Sequence, residues 1–207
     1  MVSTPLLLTA APLVLLYGLF LLWYGGRGRP LTPQETDRFL QALAEQARGP
    51  DAQAQLAGVR ELVRQDDGRE FVMQNLVRYR ERAAYPPGHA GPDDPREADR
   101  RYGRAIIPHL LRCGSLPVFV ARRSGSLFTP PGADAWHYVA MVRYRSRRDF
   151  LRFALAIERE DIVVHKWAAI EKTHVFPVQP IVSLVTVRLL VGGLLGLAGL
   201  ATWTLVG

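Results

Sequence analysis

Lysine is almost missing from this chain. Lys166 and Lys172 are its only two among 26 basic residues, so nearly all the positive charge is arginine. Cysteine is as scarce: the single Cys113 excludes an intrachain disulfide, and without a CxxC pair there is neither a dithiol redox motif nor a cysteine zinc site. The common catalytic signatures are also missing. There is no GxxxxGK[ST] phosphate loop, no GxGxxG after a strand, no HExxH helix and no GxSxG nucleophile turn. The five histidines, His89, His109, His137, His165 and His174, lack zinc-ligand spacing, so the sequence calls for no metal and no cofactor.

What is present begins at the two ends. Residues 2–26 carry no charge, and residues 5–24 read PLLLTAAPLVLLYGLFLLWY. A helix of that length spans about 30 Å of hydrocarbon. A cleaved signal peptide is the rival reading, but the start has no basic residue and the run exits into YGGRGRP rather than a small-x-small site. A second apolar segment, residues 183–206, has Arg188 near its start, where the side chain can snorkel to head groups. Gly192-x-x-x-Gly196 with Gly199 offers a smooth strip for helix packing, within the chain or between chains. Arg27, Arg29 and Arg188 all lie on the inner side of these runs. The positive-inside rule then places the intervening domain in the cytoplasm, with both termini outside, for an integral protein of a bacterial inner membrane. The net charge of +7 suits solvated faces or anionic lipid; nucleic acid is set aside as a partner.

Between the anchors, Thr32-Pro33-Gln34-Glu35 is a capping box with proline at the first helical position. Two amphipathic helices follow, the first stopped by Gly49-Pro50 and the second starting at Asp51, and together they make a helical stalk over residues 32–66. Beyond the turn QDDG come a strand at 70–80, a Pro/Gly-rich loop and a helix at 96–113 that Pro108 should kink. Strands at 116–123 and 136–145 follow, then a helix capped by Ser146-x-x-Asp149. A helical stretch from Asp161 leads into a last strand, EKTHVFPV. The order β-α-β-β-α-β, with NLVRYR at 75–80 echoed by AMVRYR at 140–145, is that of a ferredoxin-like α+β domain over residues 70–177. In that arrangement the two VRYR segments should be central neighbours, and Trp167 is read as core.

The segments FVMQNLVRYRERAAYP, DRRYGRAIIPHLLRCGSLPVFVARR and WHYVAMVRYRSRRDFLRF resemble an uncharacterised domain family of the dimeric α+β barrel superfamily, which also holds the antibiotic-biosynthesis monooxygenase-like proteins. The resemblance implies a homodimer whose two sheets meet face to face, with small-ligand pockets between sheet and helices. The flanking membrane helices and the two N-terminal helices depart from the usual soluble form.

Strand alternation puts Met73, Asn75, Val77 and Tyr79 on one face of the first strand, with Tyr138, Ala140, Val142 and Tyr144 as their counterparts on the third. Asn75, Tyr79, Tyr138 and Tyr144, with His137, are therefore candidates to line an apolar pocket with polar tips. The bland alternative packs the tyrosines with hydroxyls at the rim and bonds Asn75 to backbone. Arg78 and Arg143, on the opposite face, either bind an acidic ligand or pair with acids across a dimer interface. The expectation is a membrane-anchored module that binds a small hydrophobic ligand or a partner protein. The alternative is a cofactor-independent monooxygenase or isomerase acting on a hydrophobic substrate.

Overall fold

The computed structural model describes residues 4–25, 28–47, 52–159, 162–181 and 187–206. Gly49-Pro50, the helix starts at Asp51 and Asp161, Arg27 and the start of the 183–206 segment lie outside the described residues. The chain divides into two compact units, Met1–Arg27 with Pro180–Gly207, and Gly28–Gln179.

Among the described residues the larger unit is a four-stranded antiparallel sheet with five helices. Its elements are α2 (Pro33–Gln46), α3 (Ala52–Arg64), β1 (Phe71–Tyr79), α4 (Pro95–Arg112), β2 (Leu116–Arg122), β3 (Tyr138–Tyr144), α5 (Arg147–Arg159), α6 (Val163–Ala169) and β4 (Ile170–Val178). Strand order is β2-β3-β1-β4. Prolines help explain it: Pro117 and Pro177 fall on the two edge strands, whereas central β1 and β3 contain none, because a residue without an N–H is tolerated only where a ladder ends. The α-helix in each β-α-β half carries the chain over the sheet, and the order is compatible with a ferredoxin-like fold.

One face of the sheet is the core. Phe71, Met73 and Tyr144 pack with Leu62 of α3, Leu110 of α4, and Phe153 and Ile157 of α5. The Tyr144 ring lies 5.5 Å from Phe71 and 5.0 Å from Phe150. The 32–66 helical segment therefore contributes a side chain to this core. Arginines tie the segment down. Arg148 pairs with Glu35 at 2.9 Å and donates to the carbonyls of Arg29 and Pro30, while buried Arg147 reaches Asp67 at 2.8 Å and lies over the Phe71 ring. Asp66 accepts from the Leu31 amide at 2.6 Å. Gly68 sits at φ +73°, where a Cβ would lie 2.6 Å from the Gly28 carbonyl oxygen, so the tight turn requires glycine. The helix ends read as expected: Thr32 and Glu35 close their capping box, and Ser146 Oγ accepts from the Asp149 amide.

β1 and β3 are neighbours, but antiparallel. Tyr144 pairs with Phe71 and Tyr138 with Val77, so the two VRYR segments sit at opposite ends of the ladder rather than side by side. Trp167 is 37 % exposed, which corrects its reading as core. The helix α4 continues through Pro108 to Arg112.

In the smaller unit, α1 (Thr4–Gly25) and α7 (Val187–Val206) pack against each other. Tyr17 Oη donates to the Arg188 carbonyl at 3.1 Å, and the Arg188 guanidinium lies 5.0 Å from the Tyr24 ring centroid. Gly192 faces the Tyr17 ring and Gly199 faces Leu13, whereas a Cβ on Gly196 would meet nothing. The strip therefore serves packing within the chain at Gly192 and Gly199, and Gly196 is not part of that contact. Among the described residues one helix, α7, is long and apolar enough to cross a membrane; the apolar part described in α1 is the shorter Ala10–Gly25.

Candidate functional site

The antiparallel register separates the expected pocket into parts. Tyr144 is 5 % exposed in the core at one end of the ladder. Asn75, at mid-strand, donates to the carbonyls of Met73 and Ala140 at 3.1 and 3.3 Å, so it bonds backbone. Only Tyr79, Tyr138 and His137 meet, at the other end. Tyr79 lies 5.4 Å from Tyr138 and 5.6 Å from His137 by ring centroids, and its amide donates to His137 Nδ1 at 2.9 Å.

Asp99, a residue the strand pattern could not bring forward, organises this end. It sits on α4 beside buried Ala98, and its Oδ2 accepts from Tyr79 Oη at 2.8 Å; the Tyr138 ring packs 5.4 Å from that of Tyr79. Burial pushes the Asp99 carboxyl above its usual value, and the two phenols and the Lys166 charge pull it back. Burial and then the Asp99 charge raise both Tyr79 and Tyr138, so the hydroxyls remain protonated donors. Lys166, on α6, lies 5.8 Å from the Tyr102 ring centroid and 4.9 Å from that of Trp167. Burial lowers its ammonium, against the favourable charges of Asp99 and Glu158. The result is a half-buried carboxylate held by the Tyr79 phenol, with Tyr138 packed beside it and a lysine nearby whose charge burial disfavours. Such a set can hold or exchange a proton. The sequence did carry a signal for it. Asp99 precedes Tyr102 and Ile106 by three and seven residues, which places an acid on the inward stripe of α4, and Lys166 is one of only two lysines.

A strap passes beside this cluster. Tyr85, in the loop after β1, hydrogen-bonds His165 Nδ1 at 2.9 Å, and the Ala84 amide bonds the Ala168 carbonyl. The two arginines of the other face are engaged within the chain rather than left for an acidic ligand. Arg78 pairs with Glu171 at 3.0 Å, and Arg143, 3 % exposed, bonds Glu70 and the Gly114 carbonyl. A surface depression of about 530 Å³ lies on the β2–β3 loop, bounded by Arg123, Phe128, Asp134 and Trp136, and none of the candidate residues lines it.

The face opposite the helices is the other candidate surface. The register puts Gln74, Leu76, Val139, Met141, Phe119 and Phe176 on it. None belongs to either core cluster, and Phe119 is 50 % exposed.

Fold and surface together define a mixed α+β unit with one open sheet face. No protein-family model matches the sequence, and no curated protein matches it. Among solved structures, a protein of unknown function from Rhodopseudomonas palustris is similar at 27 % identity and TM-score 0.52, covering 66 % of this chain and 96 % of its own. The methylated form of that protein gives 28 %, 0.53, 67 % and 96 %. Nearly the whole neighbour is thus matched by two thirds of this chain. A dabb family protein with a ferredoxin-like fold from Mesorhizobium loti reaches 12 % identity and TM-score 0.35 over 55 % of this chain and 98 % of its own, too slight a likeness to bear on the fold.

Proposed function

We propose that the chain is a membrane-anchored module of the dimeric α+β barrel kind, which pairs with a second copy through its open sheet face and encloses a small hydrophobic ligand or engages a partner protein. The observation that carries this reading is the uncovered sheet face. Leu76, Val139, Met141, Phe119 and Phe176 form an apolar surface that none of the described helices packs into a core. A stable pairing covers about 800 Å² per partner. Anchoring is supported by the α1–α7 hairpin. Leu189, Leu194, Leu197 and Leu200 of α7 are more than half exposed, and hydrocarbon is the solvent that suits such a surface. Arg29 and Arg188 at the inner ends favour a cytoplasmic domain with outer termini, as in a bacterial inner membrane.

Native mass spectrometry of the full chain in detergent tests the reading. A dimer that retains a small apolar ligand or a protein partner is expected, and Met141→Glu should convert it to monomer. A wild-type monomer with nothing bound would refute it.

The alternative, a cofactor-independent monooxygenase or isomerase, draws support from one observation: the Asp99 carboxylate with the Tyr79 phenol bonded to it and the neighbouring lysine. In that reaction Tyr79 would orient a hydrophobic substrate and Asp99 would move the proton. Turnover left intact by alanine at Tyr79, Asn75 and His137 would exclude it.

A further inference from the structure

The outer face of α4 changes character along its length. In the first half, Arg100 and Arg101 pair with Glu97. From Gly103 onward the helix holds no acid, and Arg104 and Arg112 have no ion-pair partner among the described residues. Between them Ile107 and Leu111 are 37 % and 40 % exposed, one turn apart on the same outward stripe. Exposed Arg152 of α5, in a long 3.5 Å contact with Asp149, adds a third guanidinium near Cys113, at the end of α4. Two unpaired arginines flanking two exposed aliphatic side chains form a surface that is both apolar and positively charged.

Topology decides which edge of the domain this surface occupies. Leu116, Arg143, Val72 and Val178 form one row across the sheet. α4 ends at Arg112, four residues before Leu116, so Ile107, Leu111 and Arg112 approach that row. β4 leaves the sheet at Val178, in the same row. The segment at Gly28 to Pro30 enters at this edge too, against Gly68 just before β1. The β2–β3 loop, with Leu127 and Phe128 fully or mostly exposed, lies at the opposite edge beyond Arg122 and Tyr138. Only residues 179–186 separate β4 from α7, a tether of about 30 Å at most.

We infer that the C-terminal half of α4 docks on an anionic bilayer surface, with Ile107 and Leu111 entering the interface and Arg104, Arg112 and Arg152 meeting lipid phosphates. The inference rests on α7 crossing that bilayer, because the short tether then keeps this edge at high local lipid concentration. Juxtamembrane basic residues gain about 1 kcal/mol each from anionic head groups, and an interfacial helix gains further from its buried apolar side chains. Leaving the sheet face free, this contact is separate from the pairing surface.

The test uses the full chain in nanodiscs of phosphatidylcholine alone or mixed with phosphatidylglycerol. In a Cys113→Ala background, single cysteines replace Leu111, Leu127 or Leu194 and carry an environment-sensitive fluorophore read by lipid-borne quenchers. The Leu194 position should be quenched in both lipids, Leu111 only with phosphatidylglycerol, and Leu127 in neither. Arg104→Glu with Arg112→Glu should lower the docked-to-free ratio at Leu111 by more than about tenfold, and raised salt should do the same without moving Leu194. Amide exchange across residues 104–112 of the unsubstituted chain should slow with phosphatidylglycerol, a reading independent of the labels. Quenched Leu194 with Leu111 aqueous in both lipids overturns the docking and leaves the anchor standing. An aqueous Leu194 overturns the anchor and the docking with it. Quenching of Leu127 in place of Leu111 would assign lipid contact to the wrong edge and refute the proposal, as would protection of Leu111 that depends on protein concentration and not on lipid charge.

Discussion

Removing one phenol from Asp99 should unsettle the larger unit by an amount that depends on the carboxylate being there. In Tyr79→Phe the ring stays against Tyr138 and His137, and only the 2.8 Å bond to Oδ2 is lost. A hydrogen bond to a charged acceptor is worth about 1.5–3 kcal/mol, and the half-buried setting argues for the lower end, about 1.5 kcal/mol. For a unit of this size that is a fall in Tm of roughly 3–6 °C. The Tyr79 bond also pulls the Asp99 carboxyl down against its burial, so Tyr79→Phe should shift it further up. The pH dependence has a definite sign. A carboxyl raised in the folded state makes folding less favourable as pH rises from the ordinary 3.8 through the raised folded value, and Asp99→Asn should remove that slope. The assay is a double-mutant cycle by thermal unfolding in detergent at neutral pH. Tyr79→Phe should cost clearly less in the Asp99→Asn background. Equal costs in the two backgrounds would refute the coupling.

Two further predictions concern the smaller unit and the N-terminal helices. A Cβ on Gly192 would lie 3.1 Å from Tyr17 Oη, so Gly192→Leu should push α1 and α7 apart and reduce disulfide formation between Leu13→Cys and Gly199→Cys at least about threefold; unchanged cross-linking would show that the glycine is not a packing contact. The Arg148 hydrogen bond holds Glu35 down at about 2 against 4.5. The contribution of this pair is complete above 4.5 and lost as pH falls towards 2, so proteolysis within α2 should accelerate over that window in the wild type but not in Glu35→Gln.

Elements whose cause is local were legible in the sequence. The charge-free runs, the Thr32 and Ser146 caps and the alternation in β1 and β3 report their structure within a few residues. The candidate site was legible only in part. Alternation assigned Asn75, Tyr79, Tyr138 and Tyr144 to the same face, because side-chain direction follows from a period of two. It said nothing about where along the ladder each would fall. Antiparallel pairing placed Tyr144 beside Phe71 and Tyr138 beside Val77, and the expected pocket became a core aromatic at one end and a phenol pair at the other.

Two apolar helices, an α+β order of elements and the identity of the inward faces were thus determined by sequence alone, since hydrophobic period and capping chemistry act over a few residues. Tertiary structure decided the rest. The meeting of Asp99 with Tyr79, the closing of Arg78 and Arg143 on acids of their own chain, and the approach of Leu111 and Arg112 to the row from which β4 departs all depend on register between distant strands. Register is fixed by the packing of whole faces, and a local window of sequence does not contain it.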